Sequence, residues 1–179
     1  MLDLESMKPK GTWHETVVPD TLDLASRADL SVNVLTNNIE PNKYYGVYLG
    51  VRYAVDPPQR IDLTWNITPK HTRTLPMLRT MTGSQYNLDV EYRMMHALMS
   101  QIREDGQIYY PFDGAGPPKG TSYPQTNALV AFSMINFWGR DDNPVWLKWL
   151  DLVSRGLRES SIQIEDRAFY PMQSGIDTE

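Results

Sequence analysis

The chain has 179 residues, 41% hydrophobic and 22% charged, the balance of one globular domain rather than a disordered tail. Seventeen Lys and Arg against 22 Asp and Glu leave a formal charge of −5, so there is no broad positive field and nucleic acid is disfavoured as a partner. There is no cysteine, which removes disulfides, thiol nucleophiles, zinc–thiolate sites and iron–sulfur clusters together.

The first twenty residues, MLDLESMKPKGTWHETVVPD, carry acids early and lack the apolar run of a secretory leader. No stretch approaches the ~18 apolar residues that a membrane span needs. A cytoplasmic location without membrane contact is therefore expected. Asn66-Ile67-Thr68 fits the glycosylation acceptor pattern, but nothing else points to export.

The first helix is expected after Pro19-Asp20-Thr21, with Asp20 or Thr21 capping its free amides. Leu24, Ala28, Val32 and Leu35 recur at helical spacing, and Asn37-Asn38 suits the end. NKYYGVYLGVRYAV, rich in Tyr and Val, reads as a strand closed by Asp56-Pro57-Pro58. A second helix opens at Thr68-Pro69, where proline is tolerated. Pro76 implies a kink or a late start near Leu75, and Thr82-Gly83-Ser84 ends the helix. In the third helix Leu88, Tyr92, Met95, Met99 and Ile102 form one apolar stripe, with Asp89, Glu91 and Arg93 off it. Asp105-Gly106 is its expected stop.

A Gly- and Pro-rich loop, PFDGAGPPKGTSYP, leads to a fourth helix over about 125–138 with almost no polar face, expected to be buried on most sides. The fifth starts at Asp142-Asn143-Pro144. It sets Trp146, Trp149, Leu150, Val153 and Leu157 opposite Lys148, Asp151, Arg155 and Arg158, as a surface helix on a core does.

One repeat organises these elements. Residues 104–111 read EDGQIYYP and residues 165–171 read EDRAFYP, each after a helix and 60–61 residues apart. A fainter copy, Glu40-Pro41-Asn42-Lys43-Tyr44-Tyr45, follows the first helix 64 residues before Glu104. Repeated helix pairs of this length indicate a helical solenoid or a closed ring of hairpins. The fold class expected is mainly α: antiparallel helical hairpins as in a partial α/α toroid, with short extended segments in the loops, over one domain spanning 1–179.

TWHETVVPDTLDLASRADL, WNITPKHTRTLPMLRTMTGS and REDGQIYYP resemble the N-terminal part of large bacterial proteins with an α/α-toroid fold, near the six-hairpin glycosidase-like group. The resemblance covers roughly 12–171. It implies a carbohydrate ligand and glycoside hydrolase-like chemistry. Six hairpins of ~60 residues need about 360 residues, so the chain is expected to be a piece of a larger toroid or to self-associate.

Glycoside hydrolysis needs two carboxyl groups ~5–10 Å apart, one protonated and one ionised. Candidates are Asp62, Asp113, Glu104, Asp105, Glu165 and Asp166. The last four repeat before a turn, which favours turn formation over catalysis. Asp62 and Asp113 are then the catalytic candidates, read as lying in irregular loops where function collects. Trp65, Tyr109, Tyr110 and Tyr123 offer flat faces to a sugar, and His71 is a further substrate-binding candidate. No pair among His14, His71 and His96 has metal-ligand spacing, so neither metal nor cofactor is expected. No nucleophile elbow occurs, and prolines spoil the one phosphate-loop-like stretch at 114–121. Met94, Met95 and Met99 read as core. A non-catalytic helical scaffold or interaction domain is the alternative function. A terpenoid-cyclase-like toroid ranks last, because Asp141-Asp142 is followed by Asn-Pro at a helix start instead of completing an acidic cluster.

Overall fold

The computed structural model describes residues 3–8, 10–11, 23–52, 60–64, 66–111, 118–171 and 174–176. Among them run five helices, α1 Leu24–Asn37, α2 Thr68–Thr82, α3 Leu88–Met99, α4 Pro124–Asp141 and α5 Val145–Glu159. The strands are β1 Ile39–Glu40, β2 Gly46–Arg52, β3 Arg60–Thr64, β4 Thr121–Ser122, β5 Ile162–Ile164, β6 Arg167–Phe169 and β7 Ser174–Ile176. The domain is mainly helical, with short antiparallel strand pairs in its connections.

Helix ends follow local chemistry, with corrections to the expected ones. Asp23 caps α1 by accepting the Ser26 amide at 2.7 Å, a role expected of Asp20 or Thr21, which lie outside the described residues. α2 runs from Thr68 through Pro76 without the late start, and Gly83 ends it in the left-handed region at φ 66°. α3 stops at Met99, earlier than Asp105-Gly106. Ahead of α5, the buried Asn143 accepts the Val145 amide at 3.1 Å and donates to the Ser6 and Lys8 carbonyls at 2.8 and 3.0 Å. Asp141 accepts the Lys10 and Gly11 amides at 2.9 Å, so the N-terminal segment clasps the α4–α5 turn and buries Met7 in the core.

The repeat is a structural unit. α1, α3 and α5 are each followed by an antiparallel turn: β1–β2, then Ile102 bridged to Ile108, then β5–β6. α2 and α3 form one helical hairpin, with Leu75 and Met94 in a shared apolar cluster; α4 and α5 form the next, with Phe137 4.7 Å from Trp146. The first helices of the two hairpins stack in parallel register. Ser133 Oγ donates to the Pro69 carbonyl (3.1 Å) and Asn136 Nδ2 to the Arg73 carbonyl (2.7 Å), partners 64 and 63 residues apart. The spacing that joins α2 to α4 in space therefore matches the 60–64-residue spacing of the repeat in sequence. Met94, Met95 and Met99 are core, as their pattern implies.

α4 departs from the expectation of near-complete burial. Phe132 and Ile135 are 46% and 43% exposed, and Trp138 is also exposed, so this helix presents an apolar stripe to the surface.

Among the described residues no helix is long and apolar enough to cross a membrane.

Candidate functional site

The residues singled out in the sequence fall in several places. Asp62 lies within strand β3, opposite Gly50 of β2, and not in an irregular loop. Asp113, Trp65 and His14 lie outside the described residues. Tyr110 is a core residue rather than a sugar platform: its ring meets Tyr123 edge-on at 5.9 Å, and its hydroxyl pairs with Thr126 Oγ1 at 3.2 Å. Tyr109 is half-buried, donates to Asp105 Oδ2 at 2.8 Å and carries the Arg103 guanidinium 4.1 Å from its ring centre. Asp105 also accepts the Gln107 amide at 2.9 Å, and Glu165 sits at φ 55° in the β5–β6 turn. Asp105 and Glu165 thus each take part in the turn that follows their helix. The structure thus brings Tyr109, Tyr110 and Tyr123 together beside β4, and leaves Asp62 on a different sheet.

His71 is half-buried near the C-terminal end of α1, with Nδ1 buried and unpartnered. Burial pushes its imidazole below the ordinary value, opposed by a hydrogen bond to the Leu35 backbone. An unfolded histidine takes up its proton near about pH 6.5. The folded one resists that proton, so its stabilisation is present above this pH and lost as pH falls toward the lower folded value. Urea midpoints followed downward from neutral pH are expected to fall less steeply in His71→Gln than in the parent chain. Equal slopes would show that His71 contributes nothing to the acid response.

Periodicity did not reveal the buried charge cluster where α2, α3 and α4 meet. Arg79, Glu91 and Asp141 are fully buried and Arg140 nearly so. Glu91 pairs with Arg79 through one oxygen and with Arg140 through the other, and Arg140 also pairs with Asp141. Tyr92 donates to Asp141 Oδ2 at 2.9 Å and accepts from Arg140 at 2.8 Å. Burial works to lower the Arg140 guanidinium, but the Glu91 and Asp141 carboxylates outweigh it and hold it above its ordinary value. Burial likewise pushes the Tyr92 phenol far up. This buried cluster ties α2, α3 and α4 together.

Over α3 the surface opens into two adjoining cavities of about 540 and 660 Å³ that share His96 and Ser100. Tyr44, Tyr45 and Arg93 wall the first; Asp3, Lys148 and Trp149 wall the second. Tyr44 and Tyr45 take positive φ values of 53° and 56°, a conformation costing about 1–3 kcal/mol per bulky residue. Strain of this kind collects where a side chain must be held in place, and here both tyrosines line the cavity. Three aromatic rings, an imidazole and charges of both signs can pack against and hydrogen-bond a polyhydroxylated ligand. Asp3 is the one carboxylate lining either cavity among the described residues. The sequence signal for it was the Tyr-Tyr pair of the faintest repeat copy; the contribution of His96 and Trp149 required the fold. Among the described residues no group of three or more His, Asp or Glu could hold a metal.

No family model, curated protein or solved structure matches the chain.

Proposed function

We propose that the chain is part of a carbohydrate-active, glycoside hydrolase-like α/α-toroid protein, and that the groove over α3 is a sugar-binding subsite. The aromatic-walled groove, with its two strained tyrosines, carries the proposal. The in-register stacking of α2 and α4 supports the toroid architecture, because units related by one constant step can continue around a ring. Acid–base chemistry falls to Asp62 and Asp113.

Titration calorimetry against a panel of neutral oligosaccharides tests the groove. At least one sugar should bind, Tyr44→Ala and Trp149→Ala should each weaken it by about tenfold, and Tyr86→Ala, away from the groove, should not. Absence of binding across the panel, or full affinity in both groove variants, would overturn the subsite. Loss of glycan turnover in the Asp62→Asn, Asp113→Asn double variant would support the catalytic assignment, and unaltered turnover would remove it.

A second reading, a non-catalytic helical scaffold, is favoured by the exposed Phe132 and Ile135 of α4 and by the exposed apolar residues of the β5–β6 hairpin.

A further inference from the structure

Within the chain, the turn that closes one unit docks on the second helix of the next. The 102–108 turn meets α5 backbone to backbone. A β-carbon on Gly106 would fall 3.0 Å from the Leu152 carbonyl carbon and closer to its oxygen, and one on Gly156 would fall 2.9 Å from the Gly106 Cα. The turn after α1 faces α3 more loosely: Tyr45 packs against the core cluster that includes Ala97, and Pro41, Tyr44 and Tyr45 line a cavity with Ala97. Ala97 and Gly156 stand 59 residues apart, so the two contacts occupy the same position in successive units. Glycine at 156 lets the 102–108 turn approach α5 closely, and Ala97 is the small residue at the equivalent position of α3.

The third turn breaks the series. β5–β6 has no described helix packed on it, and Ile162, Ile164 and Phe169 are 52%, 55% and 47% exposed, with Tyr170 exposed beside them. At the other end, α1 is the second helix that no described turn covers. Its position equivalent to Ala97, stepping back by the 64 residues between the first two repeat copies, is Asn33. Asn33 is exposed and flanked by Leu30 and Val34, which are 68% and 60% exposed. By repeat position the two surfaces correspond to the two halves of the contact that the 102–108 turn makes with α5, with Asn33 in place of Gly156.

We infer that the β5–β6 hairpin of one copy docks on α1 of a second copy, extending the internal stacking head to tail. Such a contact is heterologous: each copy offers a different surface, and the assembly continues into a ring or an open array. It is independent of sugar binding, because the groove plays no part in it.

Sedimentation and light scattering of the full chain over a concentration series test the inference. Apparent mass should rise with concentration. Ile164→Asp with Phe169→Asp on the hairpin, or Leu30→Asp with Val34→Asp on α1, should each return the chain to monomer. All four side chains are largely solvated, so unfolding is not the expected cause, and helical circular dichroism checks that both variants remain folded. Mixing the two variants should restore a heterodimer, since one retains an intact α1 and the other an intact hairpin. A strictly monomeric parent chain would overturn the inference. So would association that survives the hairpin substitutions. Monomeric variants that fail to pair on mixing would show that the surfaces do not meet head to tail.

Discussion

Glu91→Ala is expected to cost about 3–5 kcal/mol, the range for removing one partner from a buried ion pair. Glu91 is fully buried and its two oxygens face two guanidinium groups, Arg79 and Arg140. Among the described residues the cluster pairs two guanidinium groups with two carboxylates, so removal of Glu91 takes one carboxylate from both arginines at once. Arg79 would retain only the Ser84 carbonyl at 2.9 Å, with its Nη2 already unpartnered. Arg140 would still face Asp141, so Arg79 carries most of the penalty. A linear urea extrapolation reads the effect directly. Glu91→Gln, which keeps the shape and one acceptor oxygen, should fall between the parent and the alanine variant. Arg93→Ala supplies the contrast: its pair with Asp89 is 3.7 Å long and exposed, so about 0–0.5 kcal/mol is expected. A Glu91→Ala loss no larger than that of Arg93→Ala would mean that water reaches the cluster and that its burial does not set its energetics.

Glu91 also marks what hydrophobic patterning could and could not predict. By periodicity it lies off the apolar stripe of α3, on the side of Asp89 and Arg93, which predicts solvent. The structure buries it because α3 is covered on more than one side, with Tyr92, Met95 and Met99 toward one cluster and Met94 toward another. A stripe identifies the most apolar face of a helix; it does not tell how many neighbours the helix has. α4 errs in the opposite direction, since its all-round apolar sequence predicts burial that Phe132 and Ile135 do not show. The helices themselves were legible because each combines spacing with an end signal, as Gly83 does for α2 and Asn143-Pro144 for α5. Pro76 lies inside α2, where the helix continues on both sides although the proline lacks a backbone N–H. Candidate-site residues were harder to place. Tyr44 and Tyr45 belong to one repeat copy, but His96 joins their cavity from α3 and Trp149 lines the adjoining one from α5, positions that sequence spacing does not relate.

Three glycine-to-alanine changes with different signs test the stacking itself. Gly139, in α4, has open space where a β-carbon would go, so Gly139→Ala should stabilise the chain by about 0.5–1 kcal/mol through helix propensity and a less flexible unfolded state. Gly156 is also helical, and propensity alone would favour the same change. There the new carbon would strike the Asp105 and Gly106 backbone, which cannot rotate aside as a side chain does. Gly156→Ala is therefore expected to cost about 2–4 kcal/mol, the overpacking range extended for a rigid neighbour. Gly106→Ala should cost at least as much, because it adds a left-handed φ of 77° to a clash with the Leu152 carbonyl. Since the two glycines touch each other, either substitution alone separates turn from helix. The double variant should then lose less than the sum of the single losses. Hydrogen exchange locates the damage: the Arg103 and Gly106 amides, bonded within the turn at 3.0 and 2.9 Å, should lose protection before the α2–α4 contact does. Equal, mild effects at all three glycines would mean that turn and helix are not held in contact, and the internal template for head-to-tail docking would go with them. A penalty confined to Gly106 and Gly156, with a gain at Gly139, would place the step between units in that backbone contact.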